Sequence, residues 1–249
     1  MRYKAIFIDI DDTILDYIPC CREAFDAAMA ALEEVPTGSN GEYQVTNEEL
    51  FELFFSISGR LFSEAKHGKY TIAEVMELYP AEFVEKMNAR LGKSGCGSAI
   101  KEQTETFKHA FRGAWGKTHT LVTGAQEILE YLSRKGYRLF AASNSFGHLQ
   151  RSRLEHAGVL HYFEDTYISM DIGYDKPDLR FYQEALGRSG LRADEVLMIG
   201  DSMTTDILGA QAAGIDAIFF DRRGEIEDGK GQTGACKVIR SLDQLSAIL

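Results

Sequence analysis

The sequence predicts an α/β fold in which a doubly wound parallel sheet carries an inserted α-helical domain. Two observations support this prediction. From about residue 120 onward, short apolar segments alternate with amphipathic helical segments, which is typical of a parallel sheet covered on both faces. Between Asp16 and about Trp115, apolar residues recur at helical spacing and no clear strand alternates with them.

The sheet is predicted from about six apolar segments and the helices between them. The segment "GAQEILEYLSRKG" predicts a helix that ends at Gly136. Two more helices are predicted in "DLRFYQEALGRSG", which Asp178 could cap, and in "TTDILGAQAAG", which Gly214 ends. A short helix capped by Ser241 closes the chain. The predicted strands are YKAIFIDI, YRLFAASN, YISM, EVLMIGD, DAIFFD and KVIR.

Composition narrows the range of functions. The chain has 249 residues, of which 45% are hydrophobic and 26% are charged, as expected for a globular protein with a sizeable core. It carries 38 acidic and 27 basic residues, for a net charge of -11, and no block of basic residues. A nucleic-acid polymer is therefore not expected as a partner.

Neither a membrane segment nor a cysteine framework is expected. The longest apolar stretches are strand-sized, far shorter than the roughly 20 residues that cross a bilayer, and Asp9 interrupts any signal-peptide core. These features predict a cytoplasmic protein. The four cysteines show no C-x-x-C spacing, so neither a disulfide framework nor a zinc site is expected; they are Cys20, Cys21, Cys96 and Cys236.

The end of the first strand is dense in carboxylates. The stretch "IFIDIDDTILDY" contains Asp9, Asp11, Asp12 and Asp16. Side chains at i and i+2 of a strand share a face, so Asp9 and Asp11 are expected to project together. An isolated D-x-D is more often an acidic turn that caps a helix. Because four carboxylates this close repel one another, positive charge is expected from elsewhere.

A second strand end supplies more carboxylates. In "VLMIGDSMTTDILGA", Gly200 permits a tight turn before Asp201 and Asp206. The carboxyl ends of parallel strands meet at one edge of a sheet, and Mg²⁺ prefers oxygen ligands. The missing positive charge is therefore predicted to be Mg²⁺. Asp206 alone could instead stabilise the first turn of the helix that follows it.

Two further strand ends offer groups that suit a phosphate. In "AASNS", the Ser143 hydroxyl and the backbone around Asn144 could bind phosphate oxygens. In "GYDKPD", Lys176 is a cation just before a predicted helix. Each feature alone is more often an ordinary turn or a solvated surface residue.

In order and together, these stretches resemble the four motifs of the haloacid dehalogenase superfamily of phosphohydrolases. "FIDIDDTILD" is similar to the D-x-D-x-T element, "AASNS" to the second motif, "GYDKPD" to the lysine motif and "GDSMTTD" to the acidic fourth motif. The helical insertion resembles the type-1 cap of that family. The resemblance implies a Rossmann-like phosphatase core at residues 1–15 and 116–249 and a cap at residues 16–115.

The resemblance also implies a role for each residue. Asp9 would be the nucleophile that becomes an aspartyl-phosphate, and Asp11 would protonate the leaving oxygen and then activate water. Mg²⁺ would be held by the Asp9 carboxylate, the Asp11 backbone carbonyl and Asp201. Asp206 would position Lys176 or a metal-bound water. The implied phosphate-binding residues are Ser143, Asn144 and Lys176.

The first motif also favours a class of substrate. True dehalogenases of the superfamily lack the second Asp, so Asp11 favours phosphate esters. The sequence "DIDDTILDY" most resembles that of the pyrimidine 5'-nucleotidases. This resemblance implies that the substrate is a small phosphorylated metabolite such as a pyrimidine nucleoside 5'-monophosphate. A sugar-phosphate or phosphoglycolate phosphatase and a phosphoglucomutase-like enzyme are the alternatives. A monomer or homodimer is expected.

Specificity is expected to lie in the cap, which would open and close about residues 15–19 and 113–119. Its aromatic side chains could stack on a base, although packing within the cap is the more common role of such residues; they are Phe51, Phe54, Phe55, Phe62 and Tyr70. Arg60 and Lys66 could meet an anion or lie on the surface.

Two alternatives are not enzymes. One is a phospho-aspartate switch like the receiver domains of two-component signalling, which lack a cap and take their acidic residues from separate strands, whereas Asp9 and Asp11 share one strand. The other is a protein that binds a phosphate ligand without turnover.

Overall fold

The chain divides into two units in the computed structural model, which describes residues 2–32, 45–92, 97–224 and 236–249. One unit comprises residues 1–17 and 119–249, and the other comprises residues 18–118. Both boundaries fall inside the segments predicted as hinges. The predicted opening and closing about these segments stays a prediction, and so do the roles of the two units as phosphatase core and cap.

The first unit is built on a six-stranded parallel sheet. Its strands are β1 (Ala5–Ile8), β2 (Arg138–Ser143), β3 (Asp165–Ile168), β4 (Val196–Gly200), β5 (Asp216–Phe220) and β6 (Lys237–Ile239). They lie side by side in the order β3-β2-β1-β4-β5-β6. The chain builds outward from β1 on one side and then continues on the other, so the strand order reverses between β1 and β4. The predicted doubly wound α/β fold is confirmed.

The helices of both units are numbered in chain order. They are α1 (Tyr17–Ala31), α2 (Asn47–Lys66), α3 (Ile72–Arg90), α4 (Gly97–Trp115), α5 (Ala125–Arg134), α6 (Gly147–His156), α7 (Ser169–Ile172), α8 (Leu179–Ser189) and α9 (Gly209–Ala212). A π-helical segment, Met203–Leu208, runs directly into α9. Short 3₁₀ helices are Leu160–Tyr162, Ala193–Glu195 and Leu242–Ala247.

Strand β1 is covered on both faces, as a central parallel strand should be. Ile6 and Ile8 point to one face, in a hydrophobic cluster with Leu129 of α5. Phe7 points to the other face, in a cluster with Phe181 of α8. This packing holds β1 in place and so fixes the position of the residues that follow Ile8, the last residue of the strand.

Several local features differ from the sequence prediction. The strand predicted at "YISM" ends at Ile168, because Ser169 begins the short helix α7. The helix predicted at "TTDILGAQAAG" begins with a π-helical segment, and the terminal helix is 3₁₀. Helix α6 was not predicted at all. The predicted cap of α8 is confirmed, since the Asp178 carboxylate accepts the Arg180 N–H at 2.9 Å.

The second unit consists of helices α1 to α4 within the described residues. Phe54 lies at the centre of its aromatic core, with ring centroids 5.2–5.7 Å from five other aromatic rings. Phe51 is also buried and packs against Phe25 at 5.3 Å. These two rings therefore pack within the helical unit, which is the more common role of such aromatic residues. Arg60 pairs with Glu64 and Glu82 on the helix surface.

No helix within the described ranges combines the length and apolar character needed to cross a membrane. Among the described cysteines, Cys20, Cys21 and Cys236 are thiols and form no disulfide, whereas Cys96 lies outside the described residues.

Candidate active site

Three strands bring their carboxyl ends to one edge of the sheet. Asp9 directly follows β1, and its N–H donates to the Ile199 carbonyl of β4 at 2.9 Å. Ser143 ends β2 and Asp201 follows β4. Because β1 lies between β2 and β4, these residues occupy neighbouring positions at the point where strand order reverses. Ligands of doubly wound sheets bind at this point.

Lys176 is the buried cation of this edge. Its ammonium group donates to Asp9 Oδ1 at 2.6 Å, to Asp206 Oδ1 at 2.6 Å and to the Ala142 carbonyl at 2.7 Å. An ammonium group has three donors, so all three are used. The sequence-predicted residues Asp9, Lys176 and Asp206 are thus brought together.

Asn144 fixes the backbone of Lys176. Its side-chain amide donates to the Lys176 carbonyl at 2.8 Å, and its side-chain oxygen accepts the Lys176 N–H at 2.7 Å. This reciprocal pair ties the loop after α7 to the end of β2. The Asn144 side chain therefore positions Lys176, and the role of Asn144 in phosphate binding stays a prediction.

Asp206 is held from two sides. Its Oδ1 accepts from Lys176, and its Oδ2 accepts the Ser202 N–H at 2.9 Å. Gly200 makes room for this arrangement, because a Cβ at that position would lie only 2.5 Å from the Asp206 carboxyl carbon. The turn between β4 and the π-helical segment thus depends on a residue without a side chain.

The acidic residues fit a divalent cation. Asp9, Asp201 and Asp206 each offer a carboxylate oxygen, and these three oxygens lie within 4.8 Å of one another. Hard oxygen donors are the ligands that Mg²⁺ takes in proteins. The donor set therefore fits the predicted ion. Asp11 is predicted to contribute its backbone carbonyl, which stays a prediction.

Burial and like charge shape the protonation of the cluster. Burial raises the pKa of Asp9 to about 7; Lys176 opposes this shift, and the Asp206 carboxylate adds to it. Burial by itself lowers the pKa of Lys176, but the carboxylates of Asp206 and Asp9 outweigh it and raise that pKa above its ordinary value. Lys176 is therefore charged, and its single positive charge is shared by the carboxylates of Asp9 and Asp206.

Asp11 lies in a separate network with helix α6. Arg153 donates to Asp11 Oδ1 at 2.6 Å, and the Gln150 amide donates to Asp11 Oδ2 at 2.6 Å. The same amide nitrogen of Gln150 also lies 3.0 Å from the Ser143 hydroxyl oxygen. Helix α6 thus links the predicted acid/base to the predicted phosphate-binding serine.

Asp12 and Asp16 form a third acidic group, with arginines that follow β5. Arg222 donates to Asp12 at 2.9 Å and to both oxygens of Asp16 at 2.8 and 2.9 Å. Arg223 donates to Asp12 at 2.7 Å. Asp12 has a positive φ of 61°, a left-handed conformation that Asp tolerates better than most residues. These contacts hold the turn after β1.

This arrangement corrects one part of the sequence interpretation. The sequence predicts that Mg²⁺ and a lysine supply the positive charge for the carboxylates of the first motif. The structure instead pairs three of them with arginines, since Asp11 meets Arg153 and the other two meet Arg222 and Arg223. The Mg²⁺ prediction therefore concerns Asp9 together with the carboxylates that follow β4.

Comparison with known proteins is consistent with this geometry. A model of the haloacid dehalogenase-like hydrolases matches residues 3–214. The chain belongs to this family. The match confirms the resemblance seen in the motifs and the prediction that the protein is an enzyme of the hydrolase class.

Similar family members cover nearly the same length. The glyceraldehyde 3-phosphate phosphatase of Methanothermobacter thermautotrophicus is 39% identical over 218 residues, covering 88% of this chain and 85% of the relative. The pyrimidine 5'-nucleotidase PynA of Streptococcus pneumoniae is 29% identical, covering 89% and 85%. Among solved structures, magnesium-bound YfnB of Bacillus subtilis has a TM-score of 0.81 at 25% identity, covering 100% of this chain and 99% of that one.

Sequence reasoning missed four residues that bind carboxylates of the first motif: Gln150, Arg153, Arg222 and Arg223. One signal was available for the last two, because they follow a predicted strand whose carboxyl end must lie at the same edge as Asp9. For the first two, the signal was their i, i+3 spacing on one face of a helix just after Ser143.

Proposed function

We propose that this protein is a Mg²⁺-dependent phosphomonoester hydrolase that works through an aspartyl-phosphate on Asp9. The observation that carries the proposal is the buried Asp9–Lys176–Asp206 cluster at the switch point of the sheet, with Ser143 at the neighbouring strand end. A carboxylate nucleophile with a fixed cation beside it suits attack on a negatively charged phosphoryl group.

The reaction would take place in two displacements. An Asp9 oxygen attacks phosphorus as the bond to the leaving oxygen breaks, and Asp11 gives a proton to that oxygen. Asp11 then takes a proton from a water molecule, which attacks phosphorus and releases inorganic phosphate and free Asp9. One carboxyl group thus serves first as acid and then as base. Ser143 holds a phosphoryl oxygen in both steps, and Lys176 does so by exchanging its hydrogen bond to Asp9 Oδ1 for one to the phosphoryl group.

The metal would be held by the Asp9 carboxylate, the Asp11 backbone carbonyl and Asp201, with Asp206 orienting Lys176 from outside. Bound Mg²⁺ supplies positive charge that offsets the carboxylates and stabilises the charge of the transferring phosphoryl group. The hydrogen bonds that hold Asp206 on both oxygens support this outer role.

The proposed substrate is a small phosphorylated metabolite, with pyrimidine nucleoside 5'-monophosphates first. The residue sequence of the first motif and the similarity to the nucleotidase PynA support this choice. A second candidate is a triose or sugar phosphate, because the glyceraldehyde 3-phosphate phosphatase shares a higher identity with this chain. The expected cytoplasmic location and the monomeric or homodimeric state stay predictions.

Release of inorganic phosphate from a substrate panel tests this proposal. The panel holds nucleoside monophosphates, sugar phosphates, glyceraldehyde 3-phosphate and phosphoglycolate, each with Mg²⁺ and with EDTA, and Asp9→Asn serves as the inactive control. We expect Mg²⁺-dependent release that favours pyrimidine monophosphates and is lost in the variant. Preference for the sugar phosphates would overturn the proposed nucleotide substrate and leave the proposed mechanism standing. No phosphate release from any compound would overturn the whole proposal.

A further inference from the structure

Helix α6 buries polar side chains where a helix usually buries apolar ones. Gln150 and Arg153 are both fully buried on its inner face, next to Leu154. A guanidinium group that is withdrawn from water is costly unless an anion and hydrogen bonds compensate it. The compensating anion here is Asp11, a residue of the proposed reaction, rather than a carboxylate of the surrounding scaffold.

The hydrogen bonds fix the orientation of the Gln150 amide. Arg153 can only donate, and its 2.8 Å bond to the Gln150 side-chain oxygen places the Gln150 NH₂ on the opposite side. That NH₂ meets Asp11 Oδ2 at 2.6 Å and lies 3.0 Å from Ser143 Oγ. Arg153 therefore orients Gln150, and together they orient Asp11 and Ser143.

The contacts of Asp11 with α6 use only part of its hydrogen-bonding capacity. A carboxylate has about four lone-pair sites, and α6 uses one on each oxygen. Among the described residues, no other side chain takes the second site on either oxygen. The network thus restrains the direction of the Asp11 carboxyl group and leaves lone pairs on both oxygens.

We propose that Arg153 and Gln150 are positioning residues for the reaction, setting Asp11 against the leaving oxygen and Ser143 against the phosphoryl group. This inference rests on the proposed function. Geometry matters at this scale because a misplacement of about 1 Å can cost roughly 100-fold in rate. Arg153 acts through Asp11 and affects the chemical step, whereas Gln150 acts through both residues and affects substrate binding as well.

Steady-state kinetics of Arg153→Met, Arg153→Lys and Gln150→Leu test the inference. We expect Arg153→Met to lower kcat about 10- to 100-fold with KM changed less than about threefold. Arg153→Lys keeps the charge and should recover part of that loss. Gln150→Leu should raise KM and lower kcat. Arg151→Met is the matched control, because Arg151 lies on the same helix but pairs with Asp171 at 2.7 Å, and it should behave as wild type.

A double-mutant cycle with Asp11→Asn separates positioning from a general structural effect. If Arg153 acts through Asp11, adding Arg153→Met to Asp11→Asn should change phosphate release less than about twofold. Thermal unfolding of each variant shows whether it is folded, and Arg153→Lys and Gln150→Leu carry the test if Arg153→Met is not.

Three results would overturn the inference. The first is equal kcat for Arg153→Met and Arg151→Met. The second is an equal fold loss of phosphate release when Arg153→Met is added to the wild type and when it is added to Asp11→Asn. No recovery in Arg153→Lys together with wild-type kinetics of Gln150→Leu would also count against it. In each of these cases wild-type turnover that depends on Asp9 leaves the proposed function standing, whereas absence of wild-type turnover overturns both.

Discussion

Two acidic groups, each containing residues from the stretch that follows β1, differ in how their charge is balanced. Asp12 and Asp16 meet two arginines that follow β5, in contacts where the side chains are partly exposed, such as Arg223 at 39%. Asp9 and Asp206 share Lys176, in contacts where the Lys176 side chain is 2% exposed and that of Asp206 is 1% exposed. The first group is matched in charge, and the second has more carboxylates than cations among these residues.

This difference separates a structural group from a chemical one. Paired charges that remain partly exposed contribute less to stability than buried ones, and here each carboxylate already has an arginine. Carboxylates that are buried around one lysine, with Asp201 nearby, favour an additional cation and then a phosphoryl group. The comparison therefore predicts that changes in the lysine group are costly and that changes in the arginine group are not.

The largest effect is expected for Lys176→Met. It removes the cation from Asp9 and Asp206 and leaves two buried carboxylates, so it should abolish turnover. In the absence of Mg²⁺, it should lower the free energy of unfolding by about 3–5 kcal/mol. Urea unfolding monitored by circular dichroism measures the second effect. A loss below about 1 kcal/mol would mean that the two groups do not differ as described.

A large effect on turnover is also expected for Asp11→Asn. The variant keeps the nucleophile and the lysine group but lacks the base for the second step, so turnover should fall by about 10²- to 10⁴-fold. With p-nitrophenyl phosphate, whose leaving group needs no proton, a phosphoenzyme should accumulate. Rapid acid quenching and measurement of protein-bound phosphate test this, and a variant that turns over normally would remove Asp11 from the mechanism.

Gly200→Ala should have an intermediate effect. Its new Cβ would overlap the Asp206 carboxyl group and push it away from Lys176, with an expected cost of about 1–3 kcal/mol in unfolding free energy and reduced kcat. Gly187→Ala in α8 is the control, because a Cβ there meets nothing within 4 Å. Equal behaviour of the two variants would show that the β4 turn does not depend on close approach.

The smallest effect is expected for Arg223→Ala. Only one of the two arginine partners of Asp12 is lost, and Arg222 still binds Asp12 and Asp16. The free energy of unfolding should change by less than about 1 kcal/mol, with kcat unchanged. A tenfold loss of kcat would indicate that the arginine group takes part in the chemistry.

The sequence was most informative where a local pattern carries the structure. The apolar segments predicted the strands, and the spacing of Asp9, Ser143, Lys176 and Asp201 along successive strand ends predicted a shared site. These predictions succeed because parallel strands must present their carboxyl ends at one edge. Lys176 is an exception, because it contacts Asp9 and Asp206 from the loop after α7 rather than from the end of β3.

The sequence was least informative where the structure depends on distant pairing. Helix α6 shows little apolar periodicity because Gln150 and Arg153 occupy its buried face, so hydrophobic spacing gave no signal. The contact of Arg222 with Asp16 joins residues 206 positions apart, and no local pattern specifies which arginine pairs with which carboxylate. Both failures concern polar or charged residues whose partners lie far away in the sequence.

The central claim is that Asp9 carries the phosphoryl group, and locating that group on the protein tests it most directly. Asp11→Asn is incubated with Mg²⁺ and p-nitrophenyl phosphate, quenched in acid and digested, and its peptides are examined by mass spectrometry. We predict a phosphoryl group on Asp9 that is absent when Asp9→Asn is added. Phosphate release by the wild type with a phosphoryl group on another residue, or release that survives Asp9→Asn, would contradict the account.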